Sequence, residues 1–297
     1  MYPSSARYPL RNWSAKVFET VTIIGSGRVG AAVAARLRER GITLVEERGE
    51  LVLLCVPDGA IADVAQTVPP GPWIGHVSGA TPLSALEPHH RRFSLHPLQT
   101  FTRARGPEQL DGAWAAVTAE SEDGRAVATW LAETLGLRPF DLDDAARPLY
   151  HAGAAIASNY LVTLHAVASE LFRAAGAPPD ALVPLMRRTI ENGFELTGPI
   201  ERGDWATVEA HRDAIRAARP ELEPLYDVLA RATAQLRARG EGEGGNREVS
   251  PETIVTRRGD ESGAAGEAIP KGRGTRGNHR FPHGSEPQAS DAEATAR

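Results

Sequence analysis

Short runs of aliphatic and β-branched residues punctuate the first half of the chain: Val21–Ile24, Ile42–Val45, Leu51–Val56, Trp73–Val77, Phe93–Leu95, Trp114–Thr118 and Arg138–Leu142. Between several of them the apolar spacing lengthens to the period of a helix, over Arg28–Arg40, Ile61–Thr67 and Gly124–Leu135. Alternation of this kind predicts a parallel α/β domain over residues 17–142. From 143 to 239 the pattern is helical throughout. Leu149–Ala175 reads as one long apolar helix, closed by Gly176 with Pro178 and Pro179 just beyond. Asp180–Asn192, Asp204–Ala218 and Leu222–Arg237 read as further amphipathic helices, with a start signal at Asp204 and an interruption at Pro220. Residues 1–16 form an extension. In residues 240–297 aromatics nearly vanish and Gly, Glu, Arg, Ser and Pro dominate, so this tail is expected to be disordered.

The first strand run leads into Gly25-Ser26-Gly27-Arg28-Val29-Gly30 and then into an alanine-rich helix. Strand, Gly-x-Gly-x-x-Gly and helix in that order form the dinucleotide-binding fingerprint. The first glycine permits a tight turn, the second lets backbone N–H groups approach a pyrophosphate, and the third lets helix and strand pack closely. The helix N-terminus adds unpaired N–H groups and a partial positive charge. The expected fold class is therefore α/β, a Rossmann-like sheet domain followed by an all-α domain. Gly25, Ser26, Gly27, Arg28, Val29 and Gly30 are the candidate cofactor-binding residues, joined by Val56 and Pro57 at the end of the third run.

One departure stands out. Glu46-Glu47-Arg48-Gly49-Glu50 is all that separates the second run from the third. A parallel crossover takes a dozen residues or more, so one αβ unit is missing and the sheet domain is shortened. If Ile42–Val45 is the true second strand, Glu46 or Glu47 falls about twenty residues past Gly25, where an acid bonds the ribose diol of NAD. Arg48 would then suit an NADP 2′-phosphate. If the run is a later strand, the specificity loop is lost. The cofactor is expected to be NADP or NAD, and the trimmed site also suits a non-catalytic nucleotide-sensing or scaffold protein derived from the same fold.

Composition excludes several classes. The net charge of −5 comes without a basic stripe, which argues against nucleic acid as a partner. The single cysteine, Cys55, lies inside an apolar run and rules out an internal disulfide. The first residues lack the apolar core of a signal peptide, and no apolar segment is long enough to span a bilayer. These features predict a soluble cytoplasmic protein. His89-His90 beside Arg91-Arg92 reads as a wet loop, and no metal is expected.

Further motifs follow the glycine loop in order: His76-Val77-Ser78-Gly79, Ser94-Leu95-His96-Pro97-Leu98-Gln99-Thr100-Phe101, Tyr150-His151, Ser158-Asn159-Tyr160 and Leu196-Thr197-Gly198-Pro199-Ile200. Together with Gly25–Gly30 and Val56-Pro57-Asp58 they resemble a bacterial family of oxidoreductases with a Rossmann-like domain and a helical domain of unknown function. That helical half is similar to the C-terminal domains of 6-phosphogluconate dehydrogenase and pyrroline-5-carboxylate reductase. The resemblance covers roughly residues 21–236. It implies NAD(P) binding, a cleft between the domains, and a small carbonyl or imine substrate, with a 2-oxo acid of the ketopantoate kind foremost.

Hydride transfer needs a held nicotinamide and a donor that polarises the acceptor. Ser78 and His96 each follow an apolar run where a parallel sheet points its C-terminal ends at the ligand crevice. An imidazole titrates near neutrality and can exchange a proton at working pH. The pair resembles the Gly-Ser and His-Pro motifs of prephenate dehydrogenases, which makes an enzyme of that type a further alternative. Ser78 equally suits a chain bend with Gly79, and His96 a turn before Pro97. On the long helix His151, Ala155 and Asn159 follow an i, i+4, i+8 spacing, one slowly drifting face. Related dehydrogenases carry a lysine where Ala155 stands, so His151 is the candidate proton donor and Asn159 a candidate substrate or carboxamide contact. Gln99 and Thr100 could line the same cleft, and Arg187 with Arg188 could anchor a carboxylate or face solvent. The long alanine-rich helix needs cover on several sides, which predicts a homodimer through the helical domain.

Overall fold

The computed structural model describes residues 18–242. The readings for the extension 1–16 and for the tail past 242 lie outside them. Strand β1 (Thr20–Ile24) feeds helix α1 (Arg28–Glu39), followed by β2 (Thr43–Leu44), β3 (Leu51–Leu54), α2 (Ile61–Thr67), β4 (Trp73–His76), β5 (Arg92–Leu98) and β6 (Trp114–Ala119). Helix α3 (Glu122–Leu135) and strand β7 (Arg138–Asp141) complete a seven-stranded sheet of order β2-β1-β3-β4-β5-β6-β7. All neighbouring strands run parallel except β5 and β6, which pair antiparallel. The parallel sheet expected from the sequence is thus corrected at one pair. Strand β5 is also longer than expected and carries His96 and Pro97 inside the ladder, opposite Ala116 and Ala115. Proline is tolerated there because it lies at the last positions of the pairing, where a missing N–H costs least.

Local chemistry sets the helix ends. Ser121 caps α3 by accepting the Gly124 N–H at 3.1 Å, and Gly136 ends it in the left-handed conformation at φ 83°. Alternate residues of the strands feed two apolar layers. On one face Val21, Leu51, Leu53, Phe93, Leu95 and Val117 pack against Val33 and Leu37 of α1 and Val127, Ala128 and Leu131 of α3. On the other, Val52, Leu54 and Ile74 pack against Ile61 and Ala65 of α2 and against Leu83 and Leu86. Each fully buried leucine contributes about 1.5–3 kcal/mol relative to exposure.

The missing unit is resolved by register. Leu44 at the end of β2 and Leu51 at the start of β3 both pair with Val21, on opposite sides of β1. The connecting residues therefore do not travel back along the sheet. They step sideways over β1, a span of roughly 10 Å for two strand spacings, which needs no helix. Gly49 lies flat on β1: its N–H donates to Thr22 Oγ1 at 3.1 Å, and a Cβ there would stand 2.6 Å from the Thr22 nitrogen. The Glu50 carboxylate accepts the N–H groups of Glu19 and Thr20, at 2.8 and 3.1 Å. Truncating β2 to two residues is what makes the short crossing possible.

The helical region begins with α4 (Arg147–Ala155), continues through a π-helical turn (Ile156–Tyr160) into α5 (Leu161–Ala174), and is followed by α6 (Leu182–Glu191), α7 (Pro199–Arg202), α8 (Trp205–Ala218) and α9 (Glu223–Gly242). Asp204 caps α8 as expected, accepting the Thr207 N–H at 3.1 Å. The long helix starts two residues earlier than its apolar pattern, because Pro148 sits in the first turn where no N–H is needed. Its face is not buried: Leu149 is 81 % exposed and Val162 69 %, and Leu185 of α6 is 60 % exposed. Among the described residues no helix is long and apolar enough to cross a membrane.

Candidate active site

Strand β1 ends at Ile24 and the chain turns at Gly25, whose φ of 112° suits glycine. A Cβ on Gly25 would collide with the Cys55 carbonyl, and one on Gly30 with the Gly25 carbonyl, so both glycines mark close backbone approach. Gly27, the residue before α1, has no heavy atom within 4 Å of where a Cβ would be, and α1 has no side-chain cap and no acid in its first turn. The first N–H groups of α1 thus face open space with a partial positive charge. An anionic pyrophosphate fits this turn. The nitrogen of Val56, after β3, lies 3.1 Å from where a Cβ on Gly25 would stand, which sets Val56 and Pro57 beside the same turn.

Next to it lies a cleft of about 770 Å³. Arg28 and Val29 line it from α1, His96 and Gln99 from β5 and the turn after it, His151 and Asn159 from the long helix. The fold therefore brings together Arg28, Val29, His96, His151 and Asn159. A π-helical turn, which winds less per residue than an α-helix, starts right after Ala155 and includes Asn159. His151 and Asn159 both reach the cleft. Arg28 is exposed and donates weakly to the Phe101 carbonyl at 3.4 Å. Glu46 and Arg48 line another cavity, of about 930 Å³, between the short crossing and residues 67–73.

His96 is the best-defined group. Its Nδ1 lies 2.8 Å from Tyr150 Oη, and its ring centre 6.0 Å from that of His151, edge to face. A Cβ on Gly79 would meet His151 Cδ2 at 2.6 Å and His96 Cε1 and Nε2 at 2.9 Å. Two imidazole edges therefore pack directly against one glycine backbone, where no side chain would fit. Burial, aided by His151 and the Arg147 charge, pushes the His96 pKa down to about 4, against a smaller pull from Asp58. His96 is thus neutral at working pH, a correction to the view that it titrates there.

Ser78 is also redefined. Its Oγ accepts the Ala80 and Thr81 N–H groups at 3.2 and 3.0 Å and donates to Thr81 Oγ1 at 2.9 Å. Its hydroxyl is committed to a turn, which favours the chain-bending reading. Below the turn sits Arg147, fully buried, donating to the Ser78 carbonyl and to Thr118 Oγ1, the latter at 2.9 Å. Burial and the Arg147 charge also push His76 down to about 3. Arg147, Tyr150, Gly79 and Asp58 were not singled out from sequence. Arg147 carries no local signal beyond an arginine opening a helix. Tyr150 appears only within the Tyr150-His151 motif, and nothing in one chain tells which of the two touches His96.

The other polar candidates fall outside. His89 is buried, its Nε2 2.9 Å from the Ala65 carbonyl, so it anchors α2 and is not part of a wet loop. Arg187 and Arg188 are exposed, and Arg188 pairs with Glu191 at 3.1 Å. Among the described residues no cluster of His, Cys, Asp and Glu could hold a metal ion.

Residues 113–233 match a family model described as a domain of unknown function, DUF2520. This bears out the resemblance to a Rossmann-like family with such a helical half. A candidate NADP oxidoreductase from Bacteroides fragilis shares the fold at TM-score 0.62 and 22 % identity, over 73 % of this chain and 98 % of that one. A Thermotoga maritima protein aligns at TM-score 0.62 and 23 % identity, over 75 % and 100 %. An imine reductase from Aspergillus terreus, seen with NADPH4 and a dibenzazepine, aligns at 0.51 and 17 %, over 77 % and 95 %. No curated protein matches the chain.

Proposed function

We propose that this chain is an NAD(P)-dependent oxidoreductase that reduces a small carbonyl or imine, a 2-oxo acid foremost. The observation that carries the reading is the convergence of His96 and His151 on the Gly79 backbone, in a cleft that begins at the glycine turn. The names of the fold relatives, an imine reductase with NADPH4 and a candidate NADP oxidoreductase, support it. A bound nicotinamide would supply the reducing equivalent. Gly25, Gly27 and Gly30 with the start of α1 would hold its pyrophosphate, and Arg28 a phosphate oxygen. His96, kept neutral, donates a hydrogen bond to the reacting oxygen or nitrogen and stabilises the charge growing there. His151, on the opposite wall, hands on the proton, and Asn159 orients the substrate. We also propose that a second copy of this chain covers the exposed apolar stripe of the helical region.

The deciding experiment is a fluorescence titration of the full chain with NADPH and NADH, beside Gly27→Val and His96→Ala. Saturable binding that Gly27→Val weakens at least tenfold and His96→Ala leaves alone, with turnover lost only in the latter, is the expected result. Binding without any turnover across a panel of oxo acids and imines would support the sensing or scaffold reading, which the trimmed second strand favours. No binding at millimolar cofactor would overturn the oxidoreductase and the sensing readings and leave the scaffold.

A further inference from the structure

We infer that Tyr150 is a positioning residue that holds His96, a residue lining the cleft, in the tautomer with its proton on Nε2, the ring edge beside Gly79. The inference rests on the proposed reaction for its purpose but on geometry for its content. Tyr150 stands in the first turns of α4, half-buried, and reaches across to β5, where its Oη lies 2.8 Å from His96 Nδ1. Its ring is held by Phe140 of β7 at 6.0 Å and by the His96 ring at 5.6 Å, both edge to face. A phenol is a far better hydrogen donor than a neutral imidazole N–H, and an imidazole nitrogen a better acceptor than a phenol oxygen. The pair is therefore O–H donating to Nδ1, and the imidazole proton resides on the other nitrogen.

That other nitrogen lies on the opposite ring edge, next to Gly79, at 2.9 Å from where a Cβ would be. That edge packs against the Gly79 backbone, which leaves no room for a side chain at residue 79. The remaining charged groups bear out a neutral, fixed imidazole. Arg147 on α4 and His151 disfavour its cation, while Asp58, after β3, pulls weakly the other way. Burial raises the Tyr150 phenol to about 12, so it keeps its proton and acts by orientation, not as the acid. The arrangement follows the logic of an orienting group behind a catalytic histidine, with a neutral phenol where a carboxylate usually stands. A carboxylate would favour the imidazolium, whereas a phenol leaves a neutral N–H donor.

The test uses the full chain labelled with ¹⁵N-histidine, read by two-bond ¹H–¹⁵N correlation at pH 7, with His96 assigned from His96→Gln. The wild type is expected to show an unprotonated, hydrogen-bonded Nδ1 and a protonated Nε2. Tyr150→Phe keeps the ring packing and is expected to shift the Nδ1 resonance to that of a free imidazole nitrogen. It is also expected to slow hydride transfer from NADPH roughly tenfold or more with cofactor affinity unchanged. A proton on Nδ1 in the wild type, or an Nδ1 signal that ignores Tyr150→Phe, would overturn the inference. A Tyr150-dependent Nε2–H form in a chain that transfers no hydride would sustain the orientation and sink the proposed reaction instead.

Discussion

The sheet region and the helical region treat their apolar residues in opposite ways. In the sheet Leu51, Leu53, Leu54, Phe93 and Leu95 are fully buried between α1 and α3 on one side and α2 on the other. In the helical region Leu149, Val162, Leu185 and Phe194 stand open, at 60 % exposure or more. Both regions are equally rich in aliphatic side chains, so the difference is one of layering. A sheet flanked by helices closes its core within one chain, whereas a single long helix with two or three neighbours leaves a face uncovered. The cleft lies where the two meet: His96 comes from the closed region and Asn159 from the open one.

The sharpest test of this contrast is a pair of truncations. Leu53→Ala removes a fully buried side chain from the sheet core and is expected to cost about 2–5 kcal/mol in urea unfolding. Leu149→Ala, from a side chain 81 % exposed, is expected to stay within about 0.5 kcal/mol at micromolar dilution or below. Equal costs would mean that the open face is closed in the protomer and that the contrast is false.

Acid separates the regions next. His76 and His96 belong to the sheet, with pKa values held down near 3 and 4. An unfolded histidine titrates near 6.5. Between that pH and the folded value the unfolded chain binds more protons, so stability falls as pH falls and levels off below the folded pKa. For His96 the loss from pH 6.5 to 4 is at most about 3 kcal/mol. His96→Gln should flatten the pH dependence of the unfolding midpoint across that window. An unchanged slope in His96→Gln would mean that His96 is solvated and able to charge in the native state.

How much was readable beforehand follows the same division. Strand runs, the glycine turn and the capped start of α8 are local, set by period and by single residues such as Gly25 and Asp204, and they could be read off the chain. The missing unit was legible as a shortage of residues, but the way it is bridged was not. That depends on Leu44 and Leu51 sharing Val21 as partner, a register no single strand reveals. The antiparallel pair β5–β6 was hidden for the same reason. At the site, His96 and His151 could be proposed one by one. Their meeting over Gly79, the burial of Arg147 and the Tyr150 contact are products of long-range packing. Ser78 misleads because a serine that shapes a turn and a serine that donates a proton look alike until its partners are known.

The smallest effect on the fold tests the open face directly. Leu149, Ile156 and Val162 lie on one continuous helix and are 81, 60 and 69 % exposed. A contiguous apolar stripe of this kind marks an association surface. If a second copy covers it, Leu149→Glu with Val162→Glu places two desolvated charges in the contact and should turn a dimer into a monomer by light scattering at about ten micromolar. Because neither side chain contributes to the protomer core, the monomer should unfold within about 0.5 kcal/mol of the dissociated wild type. The cleft should respond only through Asn159, next to the altered face, so NADPH binding near Gly27 should persist while substrate affinity falls. A wild type that is monomeric at this concentration would remove the second copy from the picture. A variant that loses its fold would show that the stripe is core after all, and the two regions would then no longer differ in kind.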